Sequence, residues 1–139
     1  GRLTKDEFEI MKTHTTIGAD ILDKLPFQQE SELVKTAYAI CRLHHERWDG
    51  CGYPDGLKGE DIPIAAQVVA MADVYDALIS RRIYKPAMSH EQAAAVIDAG
   101  RGTHFDPDVV DAFLGGFSAF TAIADRYHDA GPTPARTAP

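Results

Sequence analysis

The stretch Leu33-Val34-Lys35-Thr36-Ala37-Tyr38-Ala39-Ile40-Cys41-Arg42-Leu43-His44-His45-Glu46 sets Leu33, Ala37, Ile40 and Cys41 at the spacing of one buried helical face. Continuing that spacing, the next position on the face is His44. The helix is therefore predicted to run to about Glu46 and to end on two adjacent imidazoles. The next stretch, Arg47-Trp48-Asp49-Gly50-Cys51-Gly52-Tyr53-Pro54-Asp55-Gly56, has no periodicity and continues as loop to about Asp61. Imidazole and carboxylate are ligands for divalent metals, and a Gly/Pro/Asp-rich loop beside them has the composition of a shaped lid.

Working outward, Thr4 and Glu7 have capping-box spacing, and a helix is predicted from there to about Leu22. Its apolar row Ile10, Ile17, Ile21 contains His14. Pro63 suits a first helical turn, and Ile64, Val68, Met71, Ala72 and Tyr75 give the next helix a buried stripe that Asp73 interrupts. Ser89 with Gln92 and then Gly100 frame another helix. Asp106-Pro107 opens one that carries Val109, Val110, Phe113 and Leu114 inward, and a last helix is predicted from about Phe117 to Tyr127. No strand-like alternation is long enough to build a sheet. An all-α bundle of about five to six helices is expected over residues 1–128, with a disordered Pro/Ala/Thr-rich tail at 129–139.

At 139 residues the chain suits one domain, and 45% apolar content suits a globular core. A net charge of −7 disfavours a broad grip on DNA or RNA but leaves room for a small anion held by metals and local cations. No apolar run approaches membrane-spanning length, so a cytoplasmic protein with reduced Cys41 and Cys51 is expected. The first residue is glycine, as in an excerpt from something longer.

His44 and His45 lie about 100° apart on a helix, an arrangement that serves neighbouring ions more readily than one. A pair of histidines is also compatible with one interior and one solvent-facing ring. Asp73, set in an apolar helix, needs a cation or several donors if buried, and either a metal or an arginine would meet that need. Ligand chemistry on three different helices, at His14, at His44 and His45, and at Asp73, makes a joint metal site the sharper reading.

The run from His44 to Pro54 resembles the signature of the HD-GYP domain, a bacterial subgroup of the HD phosphohydrolase superfamily. Lys12 to Gly18, Val69 to Leu78 and Gly102 to Pro107 resemble further segments of the same family, so the likeness covers about residues 2–114. The resemblance implies an HD-type helical domain in a metal-dependent phosphodiesterase that opens the second messenger cyclic di-GMP to pGpG or GMP in signal transduction. It implies His14, His44, His45 and Asp73 as metal ligands, iron or manganese as the metal, and Gly52, Tyr53 and Pro54 as the named motif. Arg82 and Lys85 match positions that contact the ligand's phosphates and guanines, a role suited to a bidentate fork and a point charge. Tyr53 is placed to stack on a guanine, dock a partner or pack on the core, and Asp49 to orient ligands from behind or to cap the loop. Partners implied are diguanylate cyclase (GGDEF) domains through the Gly-Tyr-Pro loop and an upstream receiver or sensor domain, while association into a homodimer is expected from apolar faces around Ile10 and Ile17.

One departure is expected to matter. The family's His-Asp pair, normally upstream of the helix bearing His14, has no counterpart here, since His128-Asp129 stands at the other end. The chain then reads either as a truncated, inactive portion of an active phosphodiesterase or as a catalytically silent module that binds cyclic di-GMP or a partner protein.

Overall fold

The computed structural model describes residues 3–25, 31–80 and 86–128, and these form an all-α arrangement. The helices are α1 (Lys5–Lys12), α2 (His14–Asp23), α3 (Glu32–Leu43), α4 (Ile64–Ile79), α5 (His90–Ala99), α6 (Pro107–Gly115) and α7 (Phe117–His128), with a short 3-10 turn at Gly59–Asp61. Arg82, Lys85 and the tail from 129 fall outside the described residues.

The start signals operate as their chemistry dictates. Thr4 and Glu7 cap α1 reciprocally, Ser89 and Gln92 do the same for α5, and the Asp106 carboxylate accepts from Asp108 N–H ahead of Pro107. The single helix expected over 4–22 is divided at Thr13. The Thr13, Thr15 and Thr16 hydroxyls donate to the carbonyls of Ile10, Lys12 and Thr13, which competes with the helical ladder and marks a joint between α1 and α2. The joint lies immediately before His14.

Several burial expectations are corrected. Ile10, Ile17 and Ile21 are 71%, 55% and 61% exposed, and Leu33 and Ile64 are exposed with them. In α2 the packed face is instead Thr15 and Ala19, and in α3 it is Val34 and Leu43. Helix α2 packs on α3, where a Cβ at Gly18 would stand 3.6 Å from Cys41 Cβ, in ordinary van der Waals contact. In α4 Met71 and Tyr75 are buried as expected, joined by Ala66, Ala70 and Ile79, whereas Val68 and Asp73 are exposed. Asp73 therefore does not carry the burial cost foreseen for it.

The main core joins Met71, Tyr75 and Ile79 of α4 to Ala93, Ala94 and Ile97 of α5 and to Val109, Val110 and Phe113 of α6. Phe113 and Phe120 meet Tyr75 edge-on, with centroids 5.4 and 5.8 Å away. The buried Tyr75 hydroxyl is met by His90 Nδ1 at 2.6 Å, and His90 Nε2 by Asp125 at 2.9 Å, so its polar end is satisfied while α4, α5 and α7 are tied together. Leu114, expected inward, lies at the exposed edge. A smaller cluster of Leu43, Ile62 and Ala66 anchors the loop between α3 and α4.

Candidate metal centre

Helix α3 ends at Leu43, with His44 as its C-cap, so the two histidines occupy a turn rather than the helix expected to reach Glu46. That difference lets adjacent rings converge. One ring nitrogen each from His14, His44 and His45 lies within 4.8 Å of the others. His44 keeps a helical backbone and its N–H donates to the Ile40 carbonyl, and His45 follows it in the turn.

The hydrogen bonds fix two tautomers. His14 Nδ1 is 2.7 Å from the Met11 carbonyl, and His44 Nδ1 is 2.8 and 3.1 Å from the Ile40 and Cys41 carbonyls. A carbonyl only accepts, so both Nδ1 atoms carry a proton, and a ring without a second proton presents the Nε2 lone pair to the other. These Nε2 atoms stand 3.3 Å apart. Two lone pairs so placed repel unless a cation lies between them. Nitrogens that close can bind one divalent ion together, so the donor set fits such a metal. Backbone carbonyls orienting the far nitrogen are the usual support for such ligands.

His45 completes the group. Its ring stacks on Tyr53 with centroids 4.9 Å apart, and it lies 4.2 Å from His44. Burial, with His44 and His14 nearby, pushes its imidazole down to about 4, and Asp73 acts by its charge in the opposite direction. Asp73 thus faces the cluster electrostatically but is not among the atoms that converge. Since an unfolded histidine titrates near 6.5, the unfolded chain takes up the proton first as the pH falls. Stability contributed by neutral His45 is present above about 6.5 and is lost as the pH drops toward about 4. The melting temperature of metal-free protein should fall over that window, and the fall should be smaller in His45→Gln. Equal pH profiles in the two proteins would contradict this.

The loop from Arg47 to Asp61 is held by a residue whose role the sequence left open. Glu46 is 2% exposed, and its carboxylate accepts from the backbone N–H groups of Asp55, Gly56 and Leu57 at 2.7, 3.1 and 2.9 Å. Gly52 is required by close approach. A Cβ there would sit 2.5 Å from Glu46 Cα and 2.6 Å from the His45 carbonyl oxygen, and against Arg47 N as well. Tyr53 N–H donates to that same His45 carbonyl. The outer side is clamped by Arg42, whose fork binds Asp55 at 2.8 and 2.7 Å and holds that carboxyl below its usual range.

Asp49 serves the loop. Arg47 binds its carboxylate at 3.1 and 2.7 Å, Cys51 N–H donates to it, and its own N–H donates to the Thr103 carbonyl. Trp48 N–H donates to the His104 carbonyl, so the two landmark turns 47–56 and 102–107 are paired. Gly102 reaches this geometry at φ 73. The Tyr53 ring, besides its stack on His45, meets Phe8 edge-on and has the Lys12 ammonium 5.5 Å from its centroid. Sequence spacing gave no sign of Lys12 or Phe8 here, because α1 reaches the loop only in three dimensions.

An all-α domain with an imidazole cluster between a helix joint and a glycine-rich loop is the class these observations define. The sequence profile described as HD domain matches residues 1–109, and the chain belongs to that family, with the HD-GYP type of signature. It is 51% identical over 131 residues to a probable cyclic di-GMP phosphodiesterase of Vibrio cholerae, covering 93% of this chain and 30% of that protein. It is 43% identical over 134 residues to the cyclic di-GMP phosphodiesterase response regulator RpfG of Xanthomonas campestris, covering 96% and 34%. A crystal structure of a cyclic GMP-AMP-specific phosphodiesterase of V. cholerae matches with a TM-score of 0.60 at 28% identity, over 94% of this chain and 31% of that one. The chain thus spans about a third of the length of these relatives. Among the described residues, no helix is long and apolar enough to cross a membrane.

Proposed function

We propose that this chain is the metal-binding part of a cyclic dinucleotide phosphodiesterase, with cyclic di-GMP as substrate. The observation that carries the reading is the opposed pair of Nε2 atoms on His14 and His44 at 3.3 Å. His14, His44 and His45 would hold the ion, and Asp73 is the carboxylate whose charge reaches His45. Imidazole with carboxylate admits iron or manganese, the metals favoured here. A divalent ion held there supplies Lewis acidity toward the phosphodiester and acidifies water for attack on phosphorus. The chain's own contribution is orientation. The Met11, Ile40 and Cys41 carbonyls fix which nitrogen of each ring faces the site, Tyr53 holds the His45 plane, and Glu46 holds the loop carrying Tyr53.

A second reading has one observation in its favour. Among the described residues, the converging ligand atoms are three imidazole nitrogens and no carboxylate. Such a site suits binding of the dinucleotide without turnover. The experiment that separates the two loads purified chain with manganese and follows cyclic di-GMP by chromatography and by calorimetry. Appearance of pGpG supports the phosphodiesterase, and binding without product supports the silent module. Manganese-loaded protein that neither binds nor cleaves the dinucleotide would overturn both.

A further inference from the structure

A small cavity of about 10 Å³ lies where three segments meet. Glu46 and Trp48 of the loop, Gln67 and Ala70 of α4, and His104 and Phe105 of the 102–107 turn form its walls. Its volume is at the lower bound of the roughly 10–15 Å³ that one water molecule requires, so nothing larger fits.

The polar groups around it do not satisfy one another. Gln67 Nε2 donates to the Ile62 carbonyl at 2.7 Å, which fixes the amide, since a flip would set its oxygen against another acceptor. The other end of that amide, Oε1, is buried and has no hydrogen-bond partner among the described residues. Buried acceptors are almost always met by a protein donor or by an ordered water. Glu46 accepts from Asp55 and Gly56 on Oε1 and from Leu57 on Oε2, so its carboxylate keeps room for a further donor. The His104 ring stacks on Phe105 with centroids 4.2 Å apart, and burial pushes its pKa down. Near neutral pH that ring is uncharged and brings one N–H and one lone pair.

We propose that this cavity is a binding site for one ordered water, which ties the metal-site loop to α4. The two O–H groups of the water have acceptors in Gln67 Oε1 and the Glu46 carboxylate, and its oxygen has a donor in the His104 ring. Three partners are the usual complement of a buried water. A cation fits less well. Calcium takes about six to eight oxygen ligands. Here the Glu46 carboxylate is already engaged by backbone N–H groups, and Asp106, also beside the cavity, accepts from Asp108 N–H. The consequence reaches the metal centre through Glu46, because the same carboxylate holds the backbone of residues 55–57.

The test is a high-resolution crystal structure of the wild-type chain, joined to oxygen-17 relaxation dispersion and amide hydrogen exchange on wild type and Gln67→Met. Methionine matches glutamine in length and helix propensity, so α4 is kept while the amide is removed. The crystal is expected to show one density peak at roughly 2.7–2.8 Å from Gln67 Oε1. The variant is expected to lose one long-lived water and to exchange the Asp55, Gly56 and Leu57 amide protons about tenfold faster. Wild-type crystals with no peak there, with a protein donor at Oε1, or with a peak in the several short oxygen contacts of a cation would overturn the water site. A folded variant that keeps every long-lived water would overturn it as well. Loss of the water without faster exchange at those three amides would overturn the tie to the loop.

Discussion

His14→Ala is expected to lower the affinity for divalent metal by on the order of a hundredfold or more while leaving the metal-free protein folded and no less stable. Loss of a group that merely orients a ligand already costs roughly 10–100-fold, and in the proposed site His14 would supply a ligand atom itself. The stability side of the prediction follows from position. His14 is exposed at the start of α2, so truncation opens no core cavity, and surface changes of this kind usually stay within about 0.5 kcal/mol. Manganese added to the wild type should raise its melting temperature by ligand linkage, and the same addition to His14→Ala should raise it far less. Calorimetric titration with thermal melts, each with and without metal, checks both halves. A variant that still binds metal at wild-type affinity would remove His14 from the site.

The fold was legible wherever a local signal decides local structure. The Thr4–Glu7 and Ser89–Gln92 capping pairs and Asp106-Pro107 mark helix starts because a side chain must satisfy backbone N–H groups within three residues. Burial was less legible. Ile10, Ile17 and Ile21 have helical spacing, but spacing says only that a face exists, not that anything covers it. Asp73 shows the converse, since an apolar neighbourhood in sequence coexists with an exposed carboxylate on the helix's other side. Within the site, the residue types of His14, His44 and His45 were readable, while their convergence depended on α3 stopping at Leu43. No periodicity marks that stop. The role of Glu46 stayed open between orienting ligands and capping the loop, and Lys12 and Phe8 were missed as working parts, for the same reason: their partners lie in segments joined only by the folded loop.

Glu46→Gln should destabilise the protein by about 2–3 kcal/mol and weaken metal binding by about tenfold, although Glu46 touches no metal ligand atom. The substitution preserves size and shape, so packing around the Leu43, Ile62 and Ala66 cluster is kept and the effect isolates hydrogen bonding. Glu46 Oε1 accepts from Asp55 and Gly56, and Oε2 from Leu57. A glutamine has one oxygen, and its NH₂ group must face an N–H donor whichever way the amide turns. The flip that keeps the two Oε1 bonds still sets donor against donor at Leu57, and the remaining bonds lose their charge. For a chain of this size, the melting temperature should drop by roughly 5–15 °C. The consequence for metal binding runs through the loop: residues 55–57 anchor the turn that carries Tyr53, and Tyr53 both stacks on His45 and donates to its carbonyl. A His45 ring released from that stack must be reordered whenever an ion binds, which lowers affinity without removing a ligand. Thermal melts and manganese titration of Glu46→Gln read the two effects separately. A variant within about 0.5 kcal/mol of wild type would mean that water replaces the carboxylate at those three N–H groups, and unchanged metal affinity in a destabilised variant would cut the link from loop to His45.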